Sequence, residues 1–130
     1  LWPAKRIAEE LVRQGLGREV LVLLERHEPI EKSALQRDGT KRPGPEEHIR
    51  TIRVVDALLA SARRVVLVDD VVTRGATLLG CATLLLHALN RIQVHAFAAV
   101  RTMSGLEIDG MLAPVTGVIT YTNGRLHREP

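Results

Sequence analysis

The stretch Val65-Val66-Leu67-Val68-Asp69-Asp70-Val71-Val72-Thr73-Arg74-Gly75-Ala76-Thr77 decides how this chain is read. Four apolar residues in a row, Val65 to Val68, predict a strand buried on both faces of a sheet. Two carboxylates follow where that strand is expected to end. Asp69 and Asp70 are acceptor-only groups, suited to the hydroxyls of a sugar diol or to a magnesium ion that some of those hydroxyls bind. Thr73-Arg74-Gly75-Ala76-Thr77 is then a small-residue turn feeding a helix over Ala76 to Leu89, the longest helical stretch in the chain. At such a terminus unpaired backbone N–H groups and the helix dipole favour a phosphate, and the hydroxyls of Thr73 and Thr77 add donors. Gly75 lets the backbone come close. Acids for a ribose followed within a few residues by a phosphate cradle describe a pocket for a ribose 5-phosphate.

Taken separately, an Asp pair at a strand end is a solvated edge and a T-x-G-x-T turn is a helix cap. Their order within one strand-turn-helix unit carries the ligand reading. A phospho-receiver domain also places paired acids after an apolar strand, but it needs an acceptor Asp at the end of a later apolar strand and a Lys beyond it. Asp109 follows Ser104-Gly105-Leu106-Glu107-Ile108, which is not a buried-strand pattern, and no Lys occurs after Lys41. The receiver reading fails on both counts.

Working outward, Trp2-Pro3 followed by Ile7, Ala8, Leu11 and Val12, with Glu9 and Glu10 on the other face, predicts an amphipathic helix that Pro3 starts and Gly15 ends. Gly15-Leu16-Gly17 is punctuation and not a dinucleotide fingerprint, because it follows a helix. Val20 to Leu24 predicts a buried strand ending near Glu25. Ile49 to Val55 reads as a short strand and Ala57 to Ala62 as a turn or short helix. Gln93 to Val100 reads as another apolar strand, and Val115 to Arg125 carries an Asn123-Gly124 turn near its end. Strands alternating with helical stretches imply an α/β fold, a mostly parallel central sheet flanked by helices, with ligands beyond the carboxyl ends of the strands. From His27 to Glu47 the chain has Pro29, Gly39, Pro43, Gly44 and Pro45, with Lys32, Arg37, Lys41 and Arg42 between them and no apolar period. That is a long loop, and loops above about 12–15 residues are usually lids or disordered segments.

The 130 residues, 45% apolar and 25% charged, suit one soluble globular domain with a single core. Trp2, Phe97 and Tyr121 are too few aromatics for an extended base-stacking platform. The net charge of +3, from 18 Lys and Arg against 15 Asp and Glu, implies no long-range basic field despite a pI of 9.6. A small anionic ligand is favoured over nucleic acid, whose binding through the basic loop is the minor reading. The single Cys81 excludes an intramolecular disulfide and a multi-cysteine zinc site, and its small neighbours make it a core filler. No apolar run approaches the roughly 18 residues of a membrane helix and no basic-then-apolar leader precedes the domain. A cytoplasmic location without a membrane partner is the expectation. The chain opens at Leu1 without an initiator Met, as a domain cut from something longer would.

Val65 to Thr77 matches without a gap the phosphoribosyl-diphosphate signature of the type I phosphoribosyltransferases, and the chain resembles that family. The resemblance implies that Asp69 and Asp70 contact the ribose 2- and 3-hydroxyls and, mostly indirectly, a Mg2+ ion. It implies that Thr73, Arg74, Gly75, Ala76 and Thr77 wrap the 5-phosphate. The 27–47 segment lies where the family's flexible hood closes over the diphosphate, so Lys41 and Arg42, with Lys32 and Arg37 behind them, are the expected neutralising residues. His48 is expected as a hinge or capping residue rather than a base. Arg101, just past the 93–100 strand, could face the pocket, though most such residues are solvated.

Three features differ from or narrow the family pattern. Family members have a strand and a diphosphate-binding loop before the first helix, and nothing precedes Leu1 in this chain. Arg74 stands where a small or hydroxyl residue is common. Thr73 stands where hypoxanthine-guanine enzymes generally place an Asp, which points away from the 6-oxopurine branch. The run Asp69 to Thr77 and the pair Arg101-Thr102 are most similar to ComF-type competence-associated proteins and amidophosphoribosyltransferase-like members. The resemblance implies a magnesium-dependent transferase in which a nucleophile, with nitrogen the expected atom, attacks C1 of phosphoribosyl diphosphate and expels diphosphate. The acceptor is unspecified and a homodimer is left open. The alternative is a module that binds phosphoribosyl diphosphate or a nucleotide without turnover, in a DNA-uptake or regulatory assembly.

Overall fold

The computed structural model describes residues 2–29, 43–55, 62–89, 91–103 and 110–129. Among these residues the chain runs α1 (Pro3–Arg13), β1 (Leu24–Arg26), α2 (Pro45–Thr51), β2 (Ile52–Val54), β3 (Arg64–Val72), α3 (Ala76–Ala88), β4 (Gln93–Arg101), β5 (Val118–Thr122) and β6 (Arg125–Glu129). It is a mixed α/β arrangement. Helix α1 starts at Pro3 as expected and closes through paired bonds, Gly15 N–H to Val12 C=O at 2.9 Å and Leu16 N–H to Leu11 C=O at 2.9 Å. That pairing satisfies two terminal carbonyls at once. Ile7, Ala8, Leu11 and Val12 are only half-buried, and the helix lies against β3.

The centre is one β3-α3-β4 unit. β3 and β4 pair in parallel from Arg64↔Gln93 to Val72↔Arg101, and α3 crosses between them. The other pairings are antiparallel, β1 with β2 and β5 with β6. The described residues therefore contain three two-stranded sheets and no large central parallel sheet, which corrects the expected architecture. The reason lies in the strands themselves. Hydrophobic runs identify chain that is to be buried, whereas pairing needs extended partners in register. Val20 to Leu24 supplies Leu23 to the core but leaves Leu21 and Val22 exposed, and the paired strand is shifted to Leu24–Arg26. The expected strand at 49–55 is likewise shortened to Ile52–Val54, because Pro45 starts a helix that holds the backbone to Thr51. The long loop accordingly ends at Gly44, and its residues 30–42 lie outside the described residues.

Leu23, Leu85, Leu89 and Ile92 form the buried core, with Leu24, Val54, Ala62, Val65, Leu67 and Val94 packed around them. Val65 and Leu67 share one face of β3 with the period of two, and α3 covers that face. The opposite face is only partly covered: Val66 is 49% exposed and Phe97 40%. A strand buried on both faces was expected at Val65 to Val68; one face packs on the core, with Val65 and Leu67 partly buried. Gly80 explains how α2 reaches α3. A β-carbon there would lie 2.8 Å from His48 Cβ and 2.9 Å from the Pro45 carbonyl oxygen, so only glycine permits the approach. β5 and β6 join through Asn123 and Gly124, both at positive φ (54° and 73°), which is the turn their sequence announces. No helix among the described residues is long and apolar enough to cross a membrane.

Candidate functional site

The expected acid pair sits inside β3 and not beyond its end. Val71 and Val72, both β-branched, continue the parallel ladder opposite Val100 and Arg101, so the strand runs past the carboxylates. Strand alternation consequently assigns Asp69 to the face that carries Val65 and Leu67, and Asp70 to the face of Val66. Each side chain folds back over the next amide: Asp70 N–H donates to Asp69 Oδ1 at 3.0 Å and Val71 N–H to Asp70 Oδ1 at 2.9 Å. Burial, and then the neighbouring Asp70 carboxyl, raise Asp69 above the ordinary carboxylate range, with the Asp70 amide acting in the opposite direction. A carboxyl destabilised in this way gains from donors or from a cation brought to it.

The turn expected after β3 is present. Gly75 adopts φ 87° and precedes α3 directly, and no side chain caps the helix. Thr73 and Arg74 are exposed, Ala76 and Thr77 half-buried, and Gly75 buried. Gly75 is covered by Ile119 of β5, whose Cγ1 and Cγ2 would stand 3.0 and 3.1 Å from a β-carbon placed there. The β5–β6 hairpin thus lies over the end of the β3-β4 pair. Arg128 fastens it, donating from Nη2 to the Thr102 carbonyl at 2.8 Å and from Nη1 to the Val72 carbonyl at 3.5 Å. Tyr121 adds a hydrogen bond to Glu46 of α2, which holds that carboxyl below its usual range. The cradle expected at Gly75 is therefore closed by the protein on that side and accessible from Thr73 and Arg74.

His48 does not stand at a capping position of α2, whose caps are Gly44 and Ile52. It lies within α2, 9% exposed, and joins a polar chain that runs through the molecule. Arg26 of β1 donates from Nη1 to Thr51 Oγ1 at 2.7 Å and from Nη2 to His48 Nδ1 at 3.2 Å. Thr51, fully buried, donates a hydrogen bond from its own hydroxyl to the Glu47 carbonyl at 2.7 Å. On the far side of the ring His48 Nε2 stands 3.4 Å from Thr77 Oγ1. Burial, and next the Arg26 charge, lower the imidazole's affinity for a proton, opposed by Glu47. Sequence reasoning missed Arg26. The available signals were a cation at the exit of an apolar run and the i, i+3 spacing of His48 and Thr51 on one helix face.

Cys81 is buried and free, and its thiol is pushed up to about 11, first by burial, so it is the core filler expected and no nucleophile. Arg101 donates from Nη2 to the Gly110 carbonyl at 3.2 Å. Lys32, Arg37, Lys41, Arg42 and Asp109 lie outside the described residues, as does most of Ala57 to Ala62. Among the described residues no group of three or more His, Cys, Asp or Glu side chains could hold a metal ion. No protein-family model, no curated protein and no solved structure matches this chain.

Proposed function

We propose that this chain is a type I phosphoribosyltransferase-like domain. It binds the ribose 5-phosphate portion of phosphoribosyl diphosphate and, with Mg2+, passes the phosphoribosyl group to a nitrogenous acceptor as diphosphate leaves. The observation that carries the reading is the β3-turn-α3 unit. Paired carboxyls, one of them raised by burial, precede by five residues a left-handed glycine and a helix N-terminus with no side-chain cap. Asp69 and Asp70 accept from the ribose hydroxyls, which relieves the crowding of two carboxylates by supplying donors. The amides at the start of α3, Thr73 and Thr77 receive the 5-phosphate from the side left accessible by Ile119. Arg74 adds charge there. Lys41 and Arg42 neutralise the diphosphate in this reading.

Two carboxylates, grouped with no third His, Cys, Asp or Glu among the described residues, fit magnesium, which keeps several waters and takes substrate oxygens in place of a full protein cage. Bound beside Asp69 and Asp70, the ion would neutralise charge on the departing diphosphate. The protein's own contribution is positioning and charge stabilisation, with no general base assigned. A cytoplasmic location goes with the reading and suits a lone, free thiol at Cys81.

One observation favours a second reading, binding without turnover. Arg128 ties the hairpin to the Val72 and Thr102 carbonyls at the carboxyl ends of β3 and β4, the side of a parallel pair on which ligands and acceptors are expected. Titration calorimetry with magnesium phosphoribosyl diphosphate tests what both readings share. Binding is expected for the native chain and none for Asp69→Asn with Asp70→Asn. Equal affinity of the two proteins removes the ribose assignment. Diphosphate release over a panel of bases and amines then separates transferase from binding module.

A further inference from the structure

We infer that His48 is a positioning residue for the proposed phosphate site: with Arg26 it fixes the Thr77 hydroxyl as a donor toward an anion at the start of α3. The inference rests on the reading above and follows from the order of donors and acceptors along Arg26, His48 and Thr77. A guanidinium has donors only. The Arg26 Nη2 contact to His48 Nδ1, at 3.2 Å, therefore requires a lone pair on Nδ1. A neutral imidazole carries one proton, so that proton must be on Nε2. Nε2 then donates across 3.4 Å to Thr77 Oγ1. A hydroxyl that accepts at its oxygen keeps its own hydrogen for a third group. Thr77 is the second residue of α3, in the turn whose free amides an anion would use, and in this inference its hydroxyl hydrogen serves the same anion.

The reverse tautomer would draw the Thr77 hydrogen toward Nε2 and present a lone pair to the anion. Arg26 excludes that arrangement, because Nδ1–H would then oppose a guanidinium N–H. A charged imidazolium is disfavoured on the same grounds, since both ring nitrogens would be donors and the ring is 9% exposed. The chain is held from both ends. Thr51 takes the other arm of Arg26 at 2.7 Å, and Gly80 allows α2 to sit close enough to α3 for His48 to reach across. Arg26, 51 residues away from Thr77 in sequence, thereby sets the polarity of a hydroxyl at the proposed site.

The test is a double-mutant cycle on the full chain, read by calorimetry with magnesium phosphoribosyl diphosphate and, as the ligand without a 5-phosphate, magnesium diphosphate. His48→Leu and Thr77→Val are each expected to weaken phosphoribosyl diphosphate about tenfold, and the double variant no further, because Thr77→Val removes the donor to a charged group and His48→Leu removes the contact that orients that same donor. His48→Gln retains an acceptor for Arg26 and a donor for Thr77 and is expected to bind like the native chain. Magnesium diphosphate affinity should be the same in all of them. Native affinity in folded His48→Leu, or losses that multiply to about a hundredfold in the double variant, overturn the inference while leaving the ribose 5-phosphate reading in place. Failure of the native chain itself to bind phosphoribosyl diphosphate overturns the reading and the inference together. Should His48→Leu not fold, long-range proton–nitrogen NMR of the native chain decides the matter: a neutral ring protonated at Nε2 supports the inference, and protonation at Nδ1 overturns it.

Discussion

Ile119 fills the space that a side chain on Gly75 would need, with its Cγ1 and Cγ2 at 3.0 and 3.1 Å from a β-carbon placed there. Gly75 also sits at φ 87°, a conformation that costs an L-residue about 1–2 kcal/mol. Gly75→Ala is therefore expected to destabilise the fold by about 2–4 kcal/mol, strain and overpacking together. In an Ile119→Ala background the overpacking part disappears and the strain stays, so the two substitutions are non-additive. Urea denaturation of the four proteins checks this, and additive losses would show that the hairpin does not pack on the turn.

Asp69 opposes folding at neutral pH. Its carboxyl is raised from the ordinary value of 3.8, chiefly by burial and then by Asp70, so the folded chain holds the proton longer than the unfolded one. The favourable contribution is complete below 3.8 and is lost as pH rises through the folded value. Asp69→Asn keeps an acceptor for the Asp70 amide and is expected to raise Tm at pH 7, with the gain shrinking as the pH falls through the carboxylate range. A lower Tm for Asp69→Asn at pH 7 contradicts a crowded acid pair. Gain of stability with loss of ligand binding is the pattern of a residue kept for function.

The signs reverse for His48. Burial, followed by the Arg26 charge, lowers its proton affinity from the ordinary 6.5, so the unfolded chain takes up the proton first as the pH falls. Stability is lost from 6.5 down to the folded value and is level below it. His48→Gln should remove that portion of the acid loss while retaining both hydrogen bonds. Denaturation midpoints between pH 7 and pH 5, taken at about half-unit steps, measure it. Parallel profiles for the two proteins would mean that His48 does not titrate with folding.

The two faces of β3 should respond differently to truncation. Leu85 of α3 is fully buried against the Val65 and Leu67 face, and Leu85→Ala is expected to cost about 2–5 kcal/mol. Val66, 49% exposed on the other face, should lose under about 1 kcal/mol on substitution by Ala. A Val66→Ala cost equal to that of Leu85→Ala would mean that the second face is also covered in solution.

Much of the local structure was legible because its signals are local. Pro3, Gly75 and Asn123-Gly124 act through their own backbone preferences, and α1, the turn before α3 and the hairpin turn stand where those residues put them. The helix over Ala76–Ala88 and the strand over Gln93–Arg101 were likewise readable from apolar pattern. His48 and Arg26 were not, since no spacing rule joins a short strand to a helix that begins nineteen residues later.

By itself the amino-acid order determined that an acid pair, a glycine-containing turn and a helix start would follow one another, because consecutive residues and backbone sterics are enough for that. Only the tertiary structure decided that the acids lie on alternate faces of a strand continuing to Val72, that Ile119 covers Gly75, and that Arg26 reaches Thr77 through His48. Those outcomes depend on strand pairing and on side chains meeting from distant parts of the chain, where the free energy of contact is settled by packing and not by neighbours in sequence.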